Sequence, residues 1–486
     1  MTTPTAAQLF YEALALQQKN ALADAEALYR KALQLAPDRP SILSNLAVVL
    51  VGQQRHEEAE KIAIRLLQAD PHDLESLLLL GACQSHLGRK HDALATFERA
   101  LKVNPLSVDA LNGHGNVLVD LRRQDEALED YAHALTIAPN HSITLKNRGN
   151  ALMSMKQTRL ALGSYTEARV HSASAISQWD ESICRLSLGD FQEGWKQYES
   201  RWLEGARGAK LTSAKPWWDG KPLAGTLLVW GEQGIGDQIL FAGMIPELAR
   251  RTTSVLLAVD PRLVALFQRS FPEINVIARD ESLPGKHFDA HMALGSIGQH
   301  LRAHWRDFPL NQAAYLLPDP IRSPAIRQRL GCGKRICGIS WFSRNNEVAE
   351  EKSLRLMDLL PLLALENLQS VDLQYGDTVD ERRRLSDECA LRVTHFDDID
   401  NFNDIDGLAA LIAACDAVIT ISNTTAHLAG ALGKPTFLLL PYSTGRHWYW
   451  HEDRDDSPWY PSIKIFRQSA PGNWDDVIVR IKDALL

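Results

Sequence analysis

The chain has 486 residues, 45% apolar and 23% charged, the balance of a folded, soluble protein with room for two or three domains. A net charge of −8 without a basic stripe predicts no nucleic-acid partner, and no apolar run reaches the ~18 residues of a membrane span. The first twenty residues lack the basic start and apolar core of a secretion signal, and Cys83, Cys184, Cys332, Cys337, Cys389 and Cys415 are scattered without metal-type pairing, which predicts a reducing, cytoplasmic setting.

The first element in chain order is a period. Pro37, Pro71, Pro105 and Pro139 stand 34 residues apart. That is the length of one helix pair in the tetratricopeptide repeat, which this stretch resembles. Ala25, Ala59, Ala93, Ala127 and Ala161 share one register, and Ala13, Ala47, Gly81, Gly115 and Gly149 another. Small residues suit places where paired helices approach closely, and Tyr29, Phe97, Tyr131 and Tyr165, in a third register, are expected to wedge between helices. Four repeats cover roughly residues 6–139. A fifth covers 142–173, with Ala173 where proline would fall, and Leu186, Gly189, Phe191, Trp195 and Tyr198 mark a degenerate sixth pair, a cap or bridge. Residues 1–175 are therefore predicted to be an all-α superhelix. Its concave face would hold a peptide or helix of another protein, the alternatives being self-association or a rigid spacer. Asn45, Asn112, Asn116, Asn147 and Asn150 lie on first helices, where amides can hold an acceptor backbone. Solvation or capping of turns is the alternative there.

Residues 176–222 are expected to hold the capping helices and a linker, with Trp217 and Trp218 pinning the turn at Pro216-Trp217-Trp218-Asp219-Gly220. From Leu223 apolar strands alternate with helical stretches. Strands are predicted at 226–230, 255–259, 276–277, 287–292, 336–341, 368–373, 417–421 and 436–440, and helices at 239–251, 263–270, 354–363, 407–415 and 425–432. This βαβ pattern predicts an α/β region of two Rossmann-like halves, 223–325 and 326–486, joined by a Pro- and Arg-rich linker at 318–329. A ligand would lie in the crevice at the carboxyl ends of the strands.

The first strand runs into Gly231-Glu232-Gln233-Gly234-Ile235-Gly236-Asp237, a glycine turn that lets backbone amides approach a ligand. Its spacing is neither that of the dinucleotide fingerprint nor that of a P-loop. Asp237 at the helix start can take a proton from an attacking hydroxyl, with Glu232 as rival and helix capping as the plain alternative. A second strand-to-helix turn, Ser422-Asn423-Thr424-Thr425-Ala426-His427, offers hydroxyls and helix-start amides to a mono- or diphosphate. Lys352-Ser353 adds a cation, and Gln374-Tyr375-Gly376-Asp377 closes a strand on the same side. The Asp pairs Asp398/Asp400 and Asp404/Asp406 imitate a metal site but fit solvation and capping better. The aromatic run His447 to Trp450, with Trp459-Tyr460, suits a stacked base or a packed corner equally.

Together the repeats, Gly189-Asp190-Phe191 through Tyr198-Glu199-Ser200-Arg201-Trp202, the Trp218 turn, Gly231 to Asp237, Ser422 to Gly433 and Ser457 to Ser462 resemble bacterial repeat-containing glycosyltransferases of the heptosyltransferase-like group. The resemblance covers essentially the whole chain. It implies a B-type fold, a nucleotide-sugar co-substrate, no metal or other cofactor, Asp237 as base, Lys352 and Ser353 on the donor phosphate, and Thr424, Thr425 and His427 on the nucleotide's phosphates; Gly234, Gly236, Gln238, Gln374, Ser422 and Asn423, from the turns and strand ends beside them, are expected on the nucleotide-sugar as well. One departure stands out. Heptosyltransferases carry Asp-Thr where this chain has Ser422-Asn423, which argues against ADP-heptose. Similar repeat-fused enzymes modify flagellin, so a protein acceptor recruited by the repeats is expected. The alternatives are an inactive nucleotide-binding scaffold and a lipopolysaccharide-core sugar transferase.

Overall fold

The computed structural model of the chain describes residues 4–172, 175–205, 210–280, 283–309, 314–331, 333–343, 349–442 and 447–485. It divides into two units, Met1–Ser172 and Ala173–Leu486. Ala173 and Cys332 lie outside the described residues.

The first unit is helical throughout. Its helices pair in chain order: Ala6–Gln18 (α1) with Leu22–Leu35 (α2), Pro40–Gly52 (α3) with His56–Ala69 (α4), Leu74–His86 (α5) with Lys90–Val103 (α6), Val108–Asp120 (α7) with Gln124–Ile137 (α8), and Ser142–Ser154 (α9) with Thr158–His171 (α10). From α2 to α8 each second helix stops two residues before its periodic proline, which has no N–H to give and forces its predecessor out of helical backbone. Within each pair the turn contains one left-handed residue: Asn20, Gln54, Gly88, Arg122 and Lys156, with φ of 57°, 62°, 76°, 61° and 60°.

The aromatic register packs on the small one. The ring of Tyr165 covers Gly149 so closely that a methyl group there would stand 2.5 Å from Tyr165 Cε1, and Tyr131 covers Gly115 likewise. The hydroxyls of Tyr131 and Tyr165 donate to Asn116 Oδ1 and Asn150 Oδ1, each at 2.7 Å. Asn147 Nδ2 donates to the buried Asn112 Oδ1 at 3.1 Å, linking successive repeats, and Asn45 donates to Ser41 O. The asparagines expected to hold an acceptor thus have a prior task inside the array. Asn116 and Asn150 keep an exposed side.

The second unit opens with Ala175–Ser187 (α11), Phe191–Tyr198 (α12) and a 3₁₀ turn at Glu199–Gly205, so the boundary expected at 175/176 falls at the start of α11. The first sheet holds Leu223–Trp230 (β1), Thr252–Val259 (β2), Asn275–Ala278 (β3) and Ala290–Ala293 (β4), all parallel in the order β3-β2-β1-β4. Ile235–Ala242 (α13) follows β1. Gly243, Met244 and Pro246 break the long helix predicted here, and Ile245–Ala249 (α14) is a separate short piece. Val264–Ser270 (α15) and Gly298–Leu301 (α16) complete this half.

Arg322–Leu330 (α17) occupies most of the predicted linker and spans its 325/326 boundary. Pro324 is accommodated in the first turn, and the helix packs on a helix of the second half. That half has Arg335–Ser340 (β5), Ala349–Lys352 (α18), Leu360–Leu363 (α19), Leu368–Asp372 (β6), Val379–Cys389 (α20), Ile405–Ala414 (α21, the partner of α17), Ala417–Ile421 (β7), Thr424–Ala431 (α22), Thr436–Leu440 (β8), Ile463–Arg467 (β9) and Asp475–Leu485 (α23). Its strands are parallel in the order β6-β5-β7-β8-β9. One apolar core runs from Leu227 and Val229 of β1 through Ile239 and Phe241 of α13 to Ala426 and Leu428 of α22. The two sheets are therefore cemented through the helices that begin at the two candidate turns.

Candidate active site

The β1–α13 and β7–α22 turns meet. α13 packs on α22, and a methyl group at Gly236 would lie 2.8 Å from His427 Cδ2. Only glycine permits that approach.

Asp237 takes the third position of α13, where its carboxylate accepts from the amide of Gly234, the N-cap residue. It therefore closes the helix start from within rather than capping it. Burial, reinforced by the negative charge of Glu232, pushes its pKa up to about 7. Glu232 is differently placed. Its Oε1 accepts from Arg201 Nη2 at 3.2 Å and from the Gly295 amide at 3.2 Å. Burial raises its pKa against that pairing. Of the two rivals, Asp237 is the carboxylate not committed to an arginine.

Gln238 is held by the protein itself. Its Nε2 donates to Gln233 O and its Oε1 accepts from Asp260 N, so the buried amide ties the glycine turn to the end of β2. Gln374 is spent the same way. Its Oε1 accepts from Ser340 Oγ and the amides of Trp341 and Phe342, while Nε2 donates to Phe342 O and Tyr375 O. Both side-chain amides are thus engaged in shaping the loops beside the two turns.

At the second turn Asn423 is the N-cap of α22, its Oδ1 accepting from Thr425 N at 3.0 Å and Ala426 N at 3.4 Å. Its Nδ2 donates to Ser340 Oγ at the end of β5. Ser422 is buried and accepts from Trp450 Nε1. Thr425 is buried as well, whereas Thr424 is partly exposed at the first position of the helix. His427, expected to reach an anion, is engaged on both ring nitrogens. Its Nδ1 and Nε2 lie 3.0 and 3.2 Å from the hydroxyls of Tyr460 and Tyr449, and it stacks on Trp450. Burial, with Lys352 and His447 adding to it, drives its pKa down to about 3. It is a neutral strut. The aromatic run is a packed corner, since Trp448, Tyr449, Trp450, Trp459 and Tyr460 are all buried.

Lys352 is 3% exposed, and its Nζ donates to the Ser422 carbonyl at 3.3 Å. Burial lowers its pKa. A buried ammonium whose partner is a carbonyl rather than a carboxylate retains affinity for an anion. Ser353 Oγ accepts from the Ser343 amide beside it. The acidic decoys are ion pairs and caps: Asp398 pairs with Arg329, Asp404 pairs with Arg322 and caps α21, and Asp406 pairs with Arg269. Among the described residues no group of three or more metal-ligating side chains occurs. No helix of the described residues is long and apolar enough to cross a membrane.

Two family models described as "Tetratricopeptide repeat" match residues 38–105 and 85–142. The chain carries tetratricopeptide repeats. Among curated proteins it is similar to Protein FlbA of Caulobacter vibrioides, at 33% identity over 335 residues, which is 64% of this chain and 55% of the relative. The chain thus spans about half the length of that relative. Among solved structures it is similar to a thermophilic repeat protein of Thermus thermophilus (19% identity, TM-score 0.35, 37% of this chain and all of that one). It is also similar to PilF of Pseudomonas aeruginosa (17% identity, TM-score 0.35, 41% of this chain and 92% of that one).

Arg201 was not singled out in the sequence as a residue bordering these turns, and the hydrogen bonds of Tyr449 and Tyr460 to His427 were not foreseen. The stretch from Tyr198 to Trp202 is conspicuous in the sequence, but its chemistry depends on Glu232, thirty-one positions away.

Proposed function

We propose that the chain is a B-type glycosyltransferase that moves a sugar from a nucleotide-sugar to a protein hydroxyl, with the repeats holding the acceptor and flagellin as a candidate acceptor. The observation that carries this reading is the meeting of Gly236 and His427. It sets Asp237, whose pKa is about 7, beside the α22 start that Lys352 addresses. A carboxyl titrating near neutrality suits a general base. In the reaction Asp237 accepts the proton of the acceptor hydroxyl as its oxygen bonds to the anomeric carbon. The bond from that carbon to phosphate oxygen breaks, and its electron pair leaves on the phosphate. Lys352 and the Thr424 end of α22 receive the charge. Ser422-Asn423 in place of Asp-Thr keeps ADP-heptose out of first place among donors.

The test has two arms. Thermal-shift measurement with CMP, UDP, GDP and ADP should show one nucleotide raising the melting temperature clearly above the others. The matching donor sugar should then be transferred by wild type and not by Asp237→Ala, which still responds to the nucleotide. No shift with any nucleotide would sink the reading.

A further inference from the structure

Tyr198-Glu199-Ser200-Arg201-Trp202 belongs to neither sheet, yet it is built into the candidate site. Arg201 is 1% exposed. Its guanidinium lies 4.4 and 4.3 Å from the ring centroids of Tyr198 and Trp202. It donates to Tyr198 O at 3.0 Å, Glu199 Oε1 at 2.7 Å, Ser296 Oγ at 2.6 Å and Glu232 Oε1 at 3.2 Å. The seat of Glu232 is closed on its other side by the Gly295 amide, and a methyl group at Gly295 would stand 2.5 Å from Glu232 Oε1. So tightly enclosed a carboxylate stays ionised only while its counter-charge is present. Five residues on, Asp237 feels that charge.

We propose that Arg201 is a positioning residue of the site: by pairing with Glu232 it keeps an ionised carboxylate beside Asp237, and so governs the proposed base from outside both sheets. This rests on the reading of Asp237 as base. The other groups that face Asp237 are the Gly234 amide of its own turn, Tyr198 at the end of α12, and Tyr449 and Tyr460 from the loops between β8 and β9. Burial pushes all three phenols up, so they stay neutral, and Glu232 is the charge that Arg201 controls.

The experiment is a pH titration of the Asp237 carboxyl by ¹³C NMR in the full-length chain labelled at aspartate Cγ, with the resonance assigned by its loss in Asp237→Asn. Wild type should titrate near pH 7. In Arg201→Gln, Glu232 loses its partner and takes up a proton, so the Asp237 midpoint should fall by about one pH unit. Glu232→Gln should give the same fall, and the double variant should add nothing to it. Ser296→Ala, which loosens Arg201 without removing it, should give a smaller fall and serves if Arg201→Gln does not fold. A midpoint that both Arg201→Gln and Ser296→Ala leave near 7 overturns the role of Arg201 alone. An ordinary aspartate midpoint in wild type overturns the base reading beneath it.

Discussion

Asp237 shows at a single residue how a site is set against stability. Its folded pKa, about 7, is above the ordinary 3.8, so between these values the folded state binds a proton the unfolded chain has released. Stability from this group is therefore full below about pH 4 and is lost as pH rises through 7. The proposed role as base asks for the opposite, because only the ionised carboxylate can accept a proton. Asp237→Asn imitates the protonated form. It should stabilise the protein at pH 8 by about 4 kcal/mol and change it little at pH 4, as thermal unfolding at the two pH values would show. Equal effects at both would mean that the carboxyl is not held in its raised state. Lys352 has a similar character, a buried cation whose partner is one carbonyl oxygen, which suits a ligand's charge better than it suits the fold.

At the scale of elements, the repeats were legible because packing dictates them. Gly149 must be small because Tyr165 lies on it, and Pro139 must follow α8 because helical backbone cannot continue through it. Gly149→Ala should cost about 1–3 kcal/mol in urea unfolding followed by circular dichroism. Gly163→Ala, on α10 with open space around it, should be neutral or slightly stabilising. A reversed order would refute the packing account. The left-handed turns were illegible, since Gly88 alone among Asn20, Gln54, Arg122 and Lys156 advertises them. In the sheets the apolar strands β1, β7 and β8 stood out, whereas α20 is polar on most faces and carries no buried stripe beyond Leu385. β9 is short, with Lys464 and Arg467 breaking its apolar run, and α23 lies beyond it; neither was assigned from the sequence. At the candidate site, Asp237 and Lys352 draw notice in the sequence by residue type and place. The hydrogen bonds that hold Gln238, Gln374 and His427 could not be read there, because they depend on neighbours distant in the chain, such as Tyr460 and Ser340.

At the scale of the molecule, a helical repeat array is joined in one chain to an α/β unit whose two parallel sheets share a core at the two candidate turns. The proposed function divides the labour at that junction: the α13 turn would act on the acceptor, and the α22 turn with Lys352 would hold the donor's phosphate. Calorimetric titration of the preferred nucleotide into wild type, Asp237→Ala and Lys352→Ala tests this most directly. Asp237→Ala should bind as wild type does, while Lys352→Ala should bind about tenfold or more weakly. Undiminished binding by Lys352→Ala, or equal loss in both variants, would contradict it.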